Sequence, residues 1–238
     1  MKRTSRAAAV VVALAALLAL VAGCGGQGGS GPAGEAAPTG PLPDAATLQK
    51  AVTTATKNLH DVQLNLAVDG DIPNLPVKAV NGYLTNAPAV AAQGDADVIA
   101  FGSEVQAKFV VLDGILWAQL SGDKYTSMGK AADTYDPSVI LDPNRGLGKI
   151  VESVRDLEVE GREDLNDQHT IRVSGIVPGS VIGVLAPKSH LGDLPCTFWV
   201  QEKAPNNLVQ AHVQVGSALI SMKLSHWGEK LPVTKPNG

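Results

Sequence analysis

Residues 94–120 read GDADVIAFGSEVQAKFVVLDGILWAQL, and their apolar side chains recur at every second position. An extended chain turns successive side chains to opposite faces, so a period of two marks strands with one buried face. Ala96, Val98 and Ala100 share one face, with Asp95 and Asp97 on the other. Beyond Gly102-Ser103 the alternation resumes, with Val105, Ala107, Phe109 and Val111 facing one way and Gln106 and Lys108 the other. Asp113-Gly114 reads as a two-residue hairpin turn, because both residue types tolerate the positive φ that such a turn needs. Leu116, Ala118 and Leu120 then continue the apolar face. Strands joined this closely predict an antiparallel meander.

The same period extends upstream. Leu64, Leu66 and Val68 alternate with Gln63, Asn65, Ala67 and Asp69, and Gly70-Asp71-Ile72-Pro73 ends that strand. Further strands are expected at roughly Lys78 to Thr85, Val90 to Phe101, Glu104 to Leu112 and Ile115 to Leu120, with a turn at Asn86-Ala87-Pro88. Before them Asp44 can cap a helix in which Leu48, Val52, Ala55 and Leu59 recur at helical spacing. Downstream, Asp136-Pro137 and Asp142-Pro143 both have the form of a helix start, aspartate as cap and proline in the first turn. The second helix runs through Leu147, Ile150, Val151 and Val154, and a third fits Pro178 to Leu185. Strands are expected near Gln168 to Ser174, Cys196 to Gln201, Leu208 to Val215 and Ala218 to Ser225. The order helix, five strands, helix, two strands, helix, three strands is α+β, a single curved antiparallel sheet with helices on one face. Ser121 to Asp136, with Tyr125 and Tyr135, is weakly patterned and reads either as a mobile rim or as a plain surface loop.

The apolar face is floored by Ala, Val and Leu, since aromatics make up only 4% of the chain. Ordinary cores are packed to near-crystalline density. Alternation alone favours helices that fill the space. The alternative is that small side chains on a strongly curved sheet leave an apolar cavity.

The N-terminus carries Lys2, Arg3 and Arg6 and then an apolar run from Ala7 to Ala22, the layout of a secretory signal peptide over residues 1–23. The run is shorter than the roughly 20 residues a membrane span requires. Val21-Ala22-Gly23-Cys24 resembles the bacterial lipobox, whose cysteine receives a diacylglycerol on sulfur and is then N-acylated, so Cys24 is the expected anchor. One acyl chain holds only marginally and two or more are needed for stable attachment. Residues 24–43 are too rich in Gly and Pro to bury a core and read as a tether reaching about 25 Å. Residues 44–238 then form one domain.

A net charge of −4, with no Lys/Arg cluster after Arg6, excludes a nucleic-acid partner. Cys196 has no disulfide partner once Cys24 is lipidated, and at the start of an apolar strand it reads as a buried small hydrophobe. The five histidines, His60, His169, His190, His212 and His226, match no zinc-ligand spacing, and no metal or other cofactor is expected. Asp95 and Asp97 lie opposite the apolar face with nothing titratable converging on them, so they are solvated exteriors and not an acid/base pair. No nucleophile elbow, Ser-x-x-Lys or Walker-type loop occurs, and the chain is not expected to be an enzyme.

Seven segments, GPLPDA at 40–45, FVVLDGIL at 109–116, AADTYDP at 131–137, EGRE at 160–163, TIRVSG at 170–175, WGEK at 227–230 and VTKP at 233–236, resemble the mycobacterial LppX/LprA/LprF/LprG lipoprotein family. They span nearly the whole mature chain and point to its LprG branch. The resemblance implies a half-barrel sheet with helices on its concave face, enclosing a large apolar cavity open at one edge, with Ala96 in its wall. It implies a monomeric carrier of triacylated lipids and glycolipids, namely phosphatidylinositol mannosides, lipomannan, lipoarabinomannan and triacylglycerol, held by their acyl chains. It also implies attachment to the outer face of the plasma membrane, a major-facilitator efflux pump as partner and, in pathogenic relatives, recognition by Toll-like receptor 2. Joined to the alternation, it makes Leu64, Leu66, Val68, Ala96, Val98, Ala100, Ala107, Phe109, Val111, Leu116 and Ala118 the expected cavity lining. Cys196 departs from the small apolar residue implied at its position, which leaves its redox state open. A lipid hydrolase or transferase, and a structural envelope module, are the alternatives.

Overall fold

The structure, a computed structural model, describes residues 39–100, 102–134, 139–183 and 191–236. Cys24, the signal peptide, most of the tether, Phe101, Tyr135, Asp136, Pro137, Leu185 and His190 lie outside them.

Helix α1 spans Ala45–Lys57, and Asp44 caps it as the sequence predicts, its Oδ1 accepting from the Thr47 N–H at 2.9 Å. That bond holds the Asp44 carboxyl below its usual pKa, as charge-assisted capping of exposed helix N–H groups does. Leu48, Val52 and Thr56 face the sheet. The chain then forms strands β1 (Asp61–Asp69), β2 (Val77–Thr85), β3 (Ala91–Ala100), β4 (Ser103–Leu112), β5 (Ile115–Gln119) and β6 (Thr126–Lys130). Short helices α2 (Ala131–Thr134) and α3 (Leu147–Glu152) precede β7 (Arg155–Leu165) and β8 (Gln168–Val177). Helix α4 (Gly179–Ile182) leads to β9 (Leu194–Gln201), β10 (Leu208–Val215) and β11 (Ala218–Ser225).

All eleven strands join one antiparallel sheet in the order β6-β5-β4-β3-β2-β1-β11-β10-β9-β8-β7. The chain therefore runs as two meanders, β1 to β6 and β7 to β11, married where β1 pairs with β11 through Leu64↔Leu224 and Leu66↔Met222. The Asp113-Gly114 turn has both residues at positive φ, 53° and 75°, as a two-residue hairpin requires. Edge strand β7 exposes Arg155, Asp156, Glu158 and Glu160, charges that discourage another chain from adding to the edge.

The helices lie on one face of the sheet. Helices α1 and α3 are tied together where the Gln49 amide donates to the Val154 and Val151 carbonyls at 2.8 and 3.0 Å, satisfying the orphan end of α3. Leu48, Val52, Ile140, Leu147 and Val151 form one core cluster with Leu64, Leu84, Ile171, Val173 and Phe198 of the sheet.

Three expectations are corrected. Ser121 to Asp136 is no continuous loop: it holds β6 and α2, making eleven strands in place of ten. The strand to which the sequence assigned no residues is β7. Asp142 does not cap α3; its Oδ1 accepts from the N–H groups of Asn144 and Arg145 at 2.8 and 3.0 Å and closes a turn, while Gly146 occupies the cap. Glycine is required there, since a Cβ would lie 2.2 Å from the Ile140 carbonyl oxygen. The third helix is one turn, Gly179–Ile182, with Pro178 as its cap. No helix among the described residues is long and apolar enough to cross a membrane.

Candidate functional site

Strand register arranges the helix face of β1–β5 into rows. The first, Val62, Leu84, Ala92, Val111 and Leu116, packs in the core cluster with Leu48, Val52, Ile140 and Leu147, and its first four members are at most 3% exposed. In the second, Leu224, Leu64, Gly82, Gly94, Phe109 and Ala118, burial begins to lapse at β3 and persists at β1. Gly94 is required, because a Cβ there would come within 2.2 Å of the Asn81 carbonyl oxygen; the Phe109 ring packs over neighbouring Gly82, its Cζ 3.1 Å from where a Cβ would stand.

In the third row, Met222, Leu66, Val80, Ala96 and Ala107, all but Met222 are partly exposed. The fourth, Ile220 and Val68 and then, past a register shift in β2 between Val77 and Ala79, Val98 and Val105, is partly exposed throughout. These nine residues include no polar side chain. An apolar face of this extent left accessible is unusual in a monomer and marks a place where an apolar surface is received.

The expected lining residues thus divide. Leu64 and Val111, each 2% exposed, belong to the packed core under the helices. Leu66, Val68, Ala96, Val98, Ala100, Ala107, Phe109, Leu116 and Ala118 are partly exposed on the same face. The structure adds Val80, Val105 and Ile220, with Met222 beside them in the core cluster. Alternation at Ile220, Met222 and Leu224 is plain in the sequence, but their place beside β1 depends on a pairing between chain ends that no local pattern states.

The outer face is polar along β3 at Gln93, Asp95 and Asp97, and beside Gln93 it carries the buried Tyr83 and Val110. Asp95 is exposed and Asp97 partly exposed, on the side away from the apolar rows. The described residues hold no group of three or more metal-ligating side chains. His60 bonds Asn86, His169 bonds Asp164 and His226 bonds Ser225. Trp199 is only 5% exposed despite its outward side, because the Arg172 guanidinium lies 5.6 Å from its ring centroid and the His212 ring meets it edge-on at 4.8 Å. Its indole N–H donates to Glu163 at 2.8 Å. Burial, with the Lys223 and Arg172 charges, lowers the His212 pKa and favours the neutral ring.

Cys196 lies on the helix face within the core cluster, 9% exposed. Burial pushes its thiol up to about 11. The thiolate is the reactive species. Native protein at pH 8 is therefore expected to resist alkylation by iodoacetamide, with modification at Cys196 appearing only after denaturation; rapid native labelling would show the strand to be open there.

Residues 44–233 match the family model described as LppX_LprAFG lipoprotein. The lipoarabinomannan carrier protein LprG of Mycobacterium tuberculosis is 42% identical over 199 residues, covering 83% of this chain and 84% of the relative. Its counterpart from Mycolicibacterium smegmatis is 42% identical over 200 residues, 82% and 84% of the two chains. Among solved structures, LprF from Mycobacterium bovis superposes with a TM-score of 0.77 at 30% identity, covering 83% of this chain and 99% of LprF. LppX from Mycobacterium tuberculosis superposes with a TM-score of 0.63 at 21% identity over 80% of this chain and all of LppX, a likeness of fold. With the family model spanning nearly the whole described domain, the chain belongs to the LppX_LprAFG lipoprotein family.

Proposed function

We propose that this protein carries triacylated lipids and glycolipids, including lipoarabinomannan-type cargo, with their acyl chains laid along the third and fourth apolar rows. The observation that carries this reading is the partial exposure of Leu66, Val80, Ala96, Ala107, Val68, Val98 and Val105 on the face that otherwise forms the core. Each CH2 moved from water onto such a surface contributes about 0.8 kcal/mol. An apolar face of this kind lowers the cost of lifting a chain from a bilayer without any covalent chemistry. The name of the LprG relatives, lipoarabinomannan carrier protein, supports the same class of cargo.

Cys24 is the proposed lipidated anchor at the outer face of the plasma membrane. The tether after it keeps the domain near the bilayer from which it loads. The role is transfer and not catalysis, for which the apolar rows supply no nucleophile or base. Hand-over to a major-facilitator efflux pump and recognition by Toll-like receptor 2 rest on the family resemblance.

Mass spectrometry of solvent extracts tests the reading directly. Protein made without its lipidation cysteine, purified from a mycobacterial host, is expected to yield multiply acylated lipid at near one molecule per chain. Extracts matching a buffer blank would count against a carrier.

A further inference from the structure

The outer face of β2 to β5 carries two adjoining clefts. The first, about 420 Å³, is lined by Gln63, Asn81, Gln93, Tyr125 and Lys235 among others. The second, about 460 Å³, is lined by Asp97, Gln106, Gln119 and Ser121 among others. Both include Asp95 and Lys108, which face each other across β3 and β4, so the clefts run together as one groove. The C-terminal segment walls one end, where the Thr234 N–H donates to Gln93 Oε1 at 3.0 Å. Among the described residues the Gln93 NH2 has no hydrogen-bond partner. At the same end the Gln63 NH2 donates to Asn81 Oδ1 at 2.7 Å, fixing two amides side by side.

The chemistry of this lining is specific. Amides present both donors and acceptors, and carboxylates accept in pairs. The Asp95 and Asp97 charges are offset by Lys108 and Lys235, so neither a phosphate nor a cation is selected. A neutral ligand dense in hydroxyls, each both donor and acceptor, suits the groove, and Tyr125 offers an amphipathic ring for the C–H face of a pyranose.

Position strengthens the argument. Asp97, Gln106 and Gln119 alternate along their strands with Ala96, Ala107 and Ala118, and Ala96 and Ala107 also border the second cleft, which thus lies at the uncovered end of the apolar rows. The β3–β4 turn at Gly102-Ser103 and the β5–β6 connection at Leu120 to Gly122 form the rim that both faces share. An amphiphile with its chains on the helix face brings its head round this rim to the groove.

We propose that the outer groove of β2 to β5 is a glycan subsite that binds the neutral oligosaccharide head of the cargo. It rests on the carrier reading only in that the sugar and the acyl chains belong to one ligand. The probe is arabinomannan freed of its acyl chains by mild base, titrated calorimetrically into the non-acylated protein. Saturable binding is expected, weakened at least tenfold in the Asp95→Ala/Gln106→Ala double variant, whose exposed substitutions leave the melting temperature and the triacylglycerol load unchanged. Absence of binding to the wild type, or equal binding by the double variant, would overturn the subsite. Val80→Trp, at a third-row position that lines neither cleft, separates the two readings. Loss of lipid with glycan binding retained supports both, whereas a wild type that binds the glycan but never holds lipid leaves the groove standing and removes the acyl-chain reading.

Discussion

Replacing Ala96 with tryptophan is expected to strip the protein of bound lipid while leaving its fold intact. Ala96 stands in the third row between Val80 and Ala107, all three partly exposed, on the face that β3 presents toward the helices. A tryptophan placed there covers about 150–250 Å² of apolar surface that an acyl chain would otherwise cover. At roughly 25 cal/mol per Å² this withdraws on the order of 4–6 kcal/mol from the cargo, an upper figure because the chain can shift along the row. A loss of even 1.4 kcal/mol is tenfold in affinity. Lipid recovered per chain by mass spectrometry should therefore fall at least tenfold. The open side of the row gives the indole somewhere to lie, so the penalty of about 1–3 kcal/mol for overfilling a closed core should be largely avoided. Unchanged circular dichroism with lipid content equal to the wild type would remove this row from the binding surface.

How much of this was legible in the sequence depends on what kind of pattern each element carries. The strands from Asp61 to Gln119 announce themselves, because apolar alternation and turn residues such as Asp113-Gly114 place their boundaries to within about a residue. Strand β6 does not, since Thr-Ser-Met-Gly-Lys is exposed throughout and joins the sheet by its backbone ladder to β5. Asp142-Pro143 illustrates a local ambiguity, because an aspartate closing a turn and one capping a helix use the same carboxylate-to-N–H bonds.

The site was legible by face but not by height. Period two assigns Leu64, Leu66 and Val68 to one side with certainty, yet says nothing of which the helices cover. That depends on where the helices and the segment around Ile140 and Leu147 pack, and these share one core cluster with Val62, Leu64, Leu84, Ala92 and Val111. The outer groove was hidden for a similar reason: Asp95 and Gln106 each read as a solvated strand exterior, and their juxtaposition with Gln63, Asn81 and Gln93 exists only in the paired sheet.

The sharpest consequence of that boundary lies within a single strand. Leu64 is 2% exposed and Leu66, one pleat further along β1, is partly exposed. Removing the Leu64 side chain opens a cavity among Leu224, Val62 and the helix residues above it, and Leu→Ala changes in such places cost about 2–5 kcal/mol. For a domain of this size the melting temperature should fall by roughly 4–20 °C. Leu66→Ala leaves no enclosed void, because its side chain already borders open space, so about 1 kcal/mol or less is expected from the lost transfer of its partly buried atoms. Lipid should respond in the opposite order. Leu66→Ala shortens the surface against which a chain lies and reduces the recovered lipid, whereas Leu64→Ala, assayed well below its melting temperature, retains its load. Thermal unfolding of the lipid-free variants together with extraction of the loaded ones measures both effects. Equal destabilisation by the two changes would mean that the helix face is packed along its whole length, and the acyl chains would have no place on it.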